Sequence, residues 1–234
     1  MSNNLLLFDK HTQKEYNEFI EKVVTYFWRN MQYQLKNITT IETGNLLPKE
    51  YYLTIDEKKE LSKKGCLTNK SVRYAYTPDV FEYDNYRQQR SFGEEKYLDK
   101  YREIVSASAG DIVVSLITQY AAIVREGGNS LMLTPNYAKI SINNEIVSKE
   151  YFVLWFNEIF EARKQIIEMK QGTTVIKLSP KNMRDMMVSL PSLKQQKTLG
   201  RMYFQNLELT EKMLMRHTRQ LDLIRAIEQK IKGT

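Results

Sequence analysis

Residues 110–142, GDIVVSLITQYAAIVREGGNSLMLTPNYAKISI, decide the fold of this chain. Short runs of β-branched and apolar residues alternate with Gly, Asn, Asp and Pro, which favour turns. The turns at Gly110-Asp111 and at residues 126–129 mark where strands start and stop. The pattern therefore predicts a sheet, with strands at Ile112–Leu116, Tyr120–Val124, Leu131–Leu133 and Ala138–Ile142.

Helical patterns follow this sheet. A helix is predicted from Ser148 to about Met169, and Ser179-Pro180 begins another, with serine as N-cap and proline in the first helical position. Ser192 and Gln195 have the spacing of a capping box. The helix that this box opens is predicted to run to about Ile231, which is roughly 57 Å at 1.5 Å per residue.

This long helix carries a narrow apolar seam. Its members recur at heptad-like spacing, and a stripe of that kind requires a second helix to cover it. Polar residues within the seam weaken it, but they can fix register and orientation. The seam consists of Tyr203, Leu207, Thr210, Leu214, His217, Leu221, Ile224 and Ile231.

The sequence before the sheet has two distinct parts. A helix is predicted over Thr12–Ile38, with a capping box from Thr12 to Glu15. Residues 68–101 hold six tyrosines among basic, amide and acidic side chains, so their charge largely cancels. Tyrosine and arginine at this density suit a nucleic-acid recognition surface. The alternative is that half of these tyrosines are part of the hydrophobic core.

The basic charge is concentrated near the C-terminus. The net charge is +7, yet residues 160–234 hold 15 Lys and Arg against 7 Asp and Glu, which leaves −1 for residues 1–159. A basic face attracts phosphate, although a solvated helix surface has the same composition. We find no apolar run near the roughly 20 residues that span a bilayer. The single cysteine, Cys66, suits a reducing cytoplasm.

Patterns that carry chemistry are missing from the sequence. Two histidines, His11 and His217, and one cysteine cannot assemble a structural zinc site, and neither histidine lies in a context typical of a catalytic triad. We find neither a P-loop nor a Rossmann glycine pattern. Asp79 and Glu82 lack the lysine-flanked strand of a magnesium-dependent nuclease. The sequence predicts a binding or scaffolding protein that needs no metal and no cofactor.

Four motifs are spread along the sequence: WRNMQYQLKNITTIETG at 28–44, GDIV at 110–113, GTT at 172–174 and SLPSLKQQ at 189–196. Together they resemble one half of the DNA-specificity (S) subunit of a Type I restriction–modification system. Ser192 and Gln195 stand where the family commonly has proline and glutamate, and both keep the capping box. The segment Asn45–Ser108 matches nothing in the family, as expected of the part that sets sequence preference.

The resemblance implies an α+β fold with two parts. An α/β target-recognition domain would span residues 1–190, including the helix 12–38, and a conserved coiled-coil helix for dimerisation and docking would span 191–234. Family members typically hold two of each, so a single copy implies a homodimer that reads a two-part site.

The resemblance also implies partners and a location. The partners would be double-stranded DNA and a methyltransferase (M) subunit, with a restriction (R) subunit as a third. The protein would act in the cytoplasm, away from membranes, and would not be an enzyme. An assembly or decoy subunit that docks the methyltransferase without reading DNA is the alternative, and a split nuclease is a third hypothesis.

Candidate DNA contacts come from two groups of residues. Base contacts are expected from the segment Asn45–Ser108 and from the loops near Gln119 and Gly127, and phosphate contacts from the basic residues that follow the sheet. The candidates are Lys70, Arg73, Tyr86, Arg87, Gln88, Gln89, Arg90, Gln119, Arg163, Lys164, Lys170, Lys177, Lys181 and Arg184.

Overall fold

The computed structural model describes residues 31–46, 56, 59–60, 63–64, 72–88, 94–97, 104–125, 130–169 and 177–232. It confirms the α+β class, with strands and helices mixed along the chain and one long helix at the end. In chain order the elements are β1 (Gln32–Gln34), α1 (Leu35–Ile38), β2 (Thr39–Thr43), β3 (Val72–Ala75), α2 (Pro78–Asp84), β4 (Glu94–Tyr97), β5 (Ser106–Ala107), β6 (Ile112–Ser115), β7 (Tyr120–Ile123), β8 (Leu131–Met132), β9 (Tyr137–Ile142), α3 (Lys149–Glu158), α4 (Phe160–Glu168), α5 (Pro180–Asp185), β10 (Met187–Ser189) and α6 (Leu193–Lys232).

The central sheet is antiparallel and has the strand order β2-β9-β6-β7. All four residues of β6 are buried because both faces of the sheet are covered. Ile112 and Val114 face a core with the helices, whereas Val113 faces a second core shared with Tyr76 and Phe81. The near-continuous apolar sequence of this strand follows from that two-sided burial.

The second sheet has the order β4-β3-β8-β5, and β3 pairs with β8 in parallel. The strand predicted at Leu131–Leu133 is therefore confirmed, but its placement in the central sheet was wrong. Leu131 and Met132 pair with Tyr74 and Ala75 instead. Periodicity identifies a strand without identifying its neighbour, because the pairing is set by residues far along the chain.

The aromatic residues of α3 form the larger core. Tyr151, Phe152, Trp155 and Phe156 are all buried against the central sheet. Ser148 caps α3 by accepting a hydrogen bond from the Tyr151 amide at 3.2 Å. The single predicted helix from Ser148 to Met169 is in fact two helices, because the backbone at Ile159 is extended (ψ 130°). At the break, the Glu161 carboxylate turns inward to the core residue Trp155.

The helix predicted over Thr12–Ile38 is wrong at its C-terminal end. Residues 32–34 form β1, which pairs antiparallel with β10 in the register Tyr33↔Val188, and Leu35–Ile38 form a short helix after it. A strand partner outweighs local helix propensity here, since propensity is a weak prior against tertiary pairing. Residues 12–30 lie outside the described residues.

The first half of α6 packs against the described residues between 31 and 190, which we call the body. The predicted capping box is confirmed: the Ser192 amide donates to Gln195 Oε1 at 3.0 Å and the Gln195 amide donates to Ser192 Oγ at 3.4 Å. The buried Gln196 accepts from the Ser148 amide and donates to the carbonyls of Ile146 and Pro191. At Gly200 the helix lies so close to α3 that a Cβ atom would be 2.5 Å from Glu150 Cβ.

The first and last strands of the body lie side by side. Through the β1–β10 pair, the Leu190 amide also donates to the Met31 carbonyl at 3.1 Å. The start of the described body and the root of α6 are therefore neighbours. Because α6 packs on the body as far as Glu211, the division of the chain at 190/191 stays a prediction.

Candidate DNA-binding surface

One end of the central sheet gathers several candidate residues. The turn between β6 and β7 closes through the Gln119 amide, which donates to the Ser115 carbonyl at 2.8 Å, and Gln119 has a positive φ of 60°. The Leu116 amide donates to the Asn136 carbonyl, and the Leu178 amide donates to the Leu116 carbonyl, each at 2.8 Å. The β6–β7 turn, the loop before β9 and the segment at residue 178 thus meet there.

Two basic candidates lie at this end of the sheet, and a third lies along its edge strand. Arg163 donates to the Gln119 carbonyl at 2.7 Å, and Lys177 donates to the Pro135 carbonyl at 2.6 Å. Arg184 donates to the carbonyl of Ile41 on β2 at 3.0 Å. Within the described residues, none of the three forms an ion pair with a carboxylate. Backbone carbonyls orient these groups without neutralising them, so their charge remains available to phosphate.

Tyr120 links two of the arginines. The guanidinium carbons of Arg87 and Arg163 lie 5.0 Å and 4.8 Å from the centroid of its ring. Arg87 also has an exposed ion pair with Glu82 at 3.8 Å, a type that contributes little and leaves the arginine free to exchange partners. The structure therefore brings Arg87 and Arg163 to one aromatic side chain, although they are far apart in the sequence.

Other candidates are engaged within the chain. Gln119 is only 2% exposed, so the predicted base contact by its side chain does not fit its placement. Tyr86 is half-buried, and its ring packs edge-on against Phe204 at 6.1 Å. Gln88 donates to the Asp79 carbonyl, and Lys164 pairs with Glu168 at 3.8 Å on the same helix.

Several candidates have no described side-chain environment. Arg73 lies in β3, and Lys181 is exposed on α5. Both stay sequence predictions, as do the four residues outside the described ranges, namely Lys70, Gln89, Arg90 and Lys170.

A buried acidic group near this surface was missed by sequence reasoning. Asp84 accepts hydrogen bonds from the Tyr76 hydroxyl at 2.5 Å and from the Arg125 amide at 2.9 Å. Burial raises the pKa of Asp84 to about 6, and these two hydrogen bonds oppose the rise. Burial also holds the pKa of Tyr76 well above its usual range. Nothing local in the sequence distinguishes Asp84 from the solvated acids around it.

The seam of the long helix divides into two halves. Tyr203 packs on the core of its own body and donates to Glu158 Oε1 at 3.2 Å, and Leu207 is half-buried. The remaining members, from Thr210 to Ile231, are exposed; Leu214 is 47% exposed and Ile231 is 70% exposed. Within the described part of the chain, the apolar side chains of the distal half of the seam are therefore exposed.

Two further searches covered the described residues only. No group of three or more His, Cys, Asp and Glu side chains there has the arrangement of a metal site. Within the same ranges, no helix combines the length and apolarity needed to cross a membrane.

Solved structures share this fold. The HsdS subunit from Thermoanaerobacter tengcongensis superposes with a TM-score of 0.50 at 10% identity, over 88% of this chain and 46% of that one. A chain from a structure described as the basis of complex assembly and conformational transition of the type I R-M system gives a TM-score of 0.53 at 12% identity, over 94% and 51%. No family model and no curated protein matches the sequence. The chain thus has the fold of about half of a Type I specificity subunit, which confirms the resemblance at the level of the fold.

Proposed function

We propose that this chain is a DNA-specificity subunit of a Type I restriction–modification system, with one recognition domain per chain. The proposal rests on one observation: the chain combines the S-subunit fold with a long helix whose distal apolar seam is exposed. The chain spans about half the length of the solved chains it matches. One such unit would read half of a two-part DNA site in the cytoplasm.

The proposed DNA contact lies on the body. The Asn45–Ser108 segment would read bases, and the carbonyl-held cations Arg163, Lys177 and Arg184 would contact phosphates. The body would do no chemistry itself, and its role would be to hold a methyltransferase subunit on a chosen sequence. A restriction subunit would join the same assembly as a third component.

DNA binding can be tested after the sites methylated by the co-expressed methyltransferase have been mapped. Lys177→Gln should weaken binding to cognate and random duplexes alike, and it should reduce the slope of log K against log salt by about 0.9. Lys232→Gln removes the same charge from the end of α6 and should leave the slope unchanged. Equal slopes for wild type and Lys177→Gln would remove Lys177 from the phosphate contacts.

Base reading predicts a different signature. Arg87→Ala combined with Arg90→Ala should weaken cognate binding more than random binding, because base contacts carry the sequence information. Equal losses on both duplexes would restrict these arginines to phosphate contacts.

The distal seam is the proposed dimer contact. Leu214→Asp would bury an unpaired charge twice in a two-fold dimer, at a cost of several kcal/mol. Light scattering should then give the mass of a monomer for this variant and of a dimer for wild type. Ala226→Asp adds the same charge on another face of the helix and should stay dimeric. A dimer that survives Leu214→Asp would refute pairing through the seam.

A docking subunit that does not read DNA is the second candidate. It is favoured by one observation: Gln88, a predicted base-contacting residue, already donates to the Asp79 carbonyl. Such a subunit would form the same complex with the methyltransferase. It would bind cognate and random duplexes with equal affinity, which is the outcome that separates the two functions.

A further inference from the structure

The long helix leaves the body at one charged junction. Glu211 is the last buried residue of α6, and beyond it every residue except the half-buried Met215 is exposed. The projecting part, residues 212–232, is about 31 Å long at 1.5 Å per residue. A small change of angle at Glu211 is therefore magnified at the tip.

Arg125, the second residue after β7, forms a bidentate ion pair with Glu211. Its Nη1 donates to Glu211 Oε1 at 2.8 Å, and its Nη2 donates to Oε2 at 3.3 Å. The side chains of Arg125 and Glu211 are only 24% and 11% exposed, so water and salt screen this pair weakly. A bidentate pair between planar groups fixes direction as well as distance.

The body holds the same arginine from the other side. Nη1 also donates to the Tyr83 carbonyl at 3.1 Å, and the guanidinium carbon lies 4.2 Å from the ring centroids of both Tyr83 and Tyr86. The Arg125 amide donates to the buried Asp84. Arg125 itself follows β7. Its guanidinium therefore contacts both α6 and the segment formed by α2 and the residues just after it.

We infer that the Arg125–Glu211 junction is a positioning device that sets the direction in which residues 212–232 project from the body. A tilt of about 20° moves the tip by about 11 Å over a 21-residue helix. That displacement is about three base-pair steps of 3.4 Å. The consequence for DNA rests on the proposed function: in a dimer, this direction would set the distance between the two DNA-reading bodies.

Electron–electron distance measurements test the inference directly. Spin labels on Asp79→Cys and Gln229→Cys form one pair, and labels on Asn144→Cys and Gln229→Cys form another, both in a Cys66→Ser background. Two body positions ensure that a tilt in any direction alters at least one distance. Dilution with excess unlabelled chain restricts the signal to pairs within one chain.

The variants separate direction from folding. Glu211→Gln removes the charge and keeps the shape, whereas Arg125→Lys keeps the charge and loses the bidentate contact. Both should broaden or shift the distance distributions by several Å, in line with the lever arm. Glu208→Gln makes the same replacement one turn earlier, at an exposed position of α6, and its distance distributions should match those of wild type. Circular dichroism identifies any variant that has unfolded.

Distributions for folded Arg125→Lys and Glu211→Gln that equal those of wild type would overturn the inference. Mapping methylated sites gives an independent readout: the two variants should accept spacers at least one base pair longer or shorter than wild type does. Altered distances in a protein that binds no specific DNA would support the positioning device while refuting the proposed function. The two ideas therefore fail separately.

Discussion

Gly200→Ala gives the sharpest test of how α6 is seated on the body. A Cβ atom at residue 200 would lie 2.5 Å from Glu150 Cβ, 2.8 Å from the Tyr151 amide nitrogen and 2.9 Å from the Glu150 carbonyl carbon. Two of these atoms are backbone at the start of α3 and cannot turn away. The helix must therefore move by about 1 Å to restore ordinary van der Waals contact.

The free energies of this change oppose one another. Alanine gains about 1 kcal/mol over glycine in helix propensity. Overpacking costs about 1–3 kcal/mol, and the shift also strains the three hydrogen bonds of buried Gln196 one turn earlier, each of which contributes about 1 kcal/mol. The costs exceed the gain, and we expect a net loss of about 2 kcal/mol.

Urea denaturation followed by circular dichroism measures this loss. Asn206→Ala, on the exposed face of the same helix, is the matched control and should be neutral or slightly stabilising. Gly200→Ala with a free energy of unfolding equal to or above that of wild type would show that α3 and α6 do not approach as closely as the structure places them.

Three more changes have defined outcomes. The unfolded chain releases the Asp84 proton near pH 4 and the folded chain near pH 6, so this group's stability contribution falls by about 3 kcal/mol as pH rises between them. Asp84→Asn should therefore gain stability relative to wild type from pH 4 to pH 7, and a constant difference in urea titrations would contradict the buried carboxylate. Glu161→Ala strips the acceptor from Trp155 Nε1 and from the amide and hydroxyl of Ser189, and should cost about 2–4 kcal/mol. Glu168→Ala removes an exposed ion pair and should change the unfolding free energy by less than about 0.5 kcal/mol. Similar losses of stability in Glu161→Ala and Glu168→Ala would refute the contacts of Glu161 with Trp155 and Ser189.

Locally encoded elements could be predicted from the sequence. β6, β7 and β9 carry apolar runs between turn residues, and α6 carries its own capping box, so each signal lies within its element. β1 could not be predicted, because Gln32–Gln34 becomes a strand only through β10, far along the chain. The parallel partner of β8 was hidden for the same reason.

The candidate site divides along the same line. Arg163 and Lys177 are candidates because of the basic excess after the sheet, a compositional signal that needs no knowledge of contacts. Arg125 was missed because its function depends on Tyr83, Tyr86 and Glu211, which no spacing rule connects to it. Gln119 was expected to contact bases because it lies in a loop between two predicted strands, yet Gln119 has a positive φ in this tight turn and its side chain is buried.

The β1–β10 pair gives the body the geometry of an exchangeable cassette. Met31 and Leu190 are joined by a hydrogen bond, so the chain enters and leaves the body at neighbouring points of the backbone. When the two ends of a domain are neighbours, the segments before and after it stay the same short distance apart, whatever the length of the loops inside the domain. Under the proposed function, a body with a different DNA preference could therefore replace this one by matching a single two-stranded joint, and α6 would keep its start.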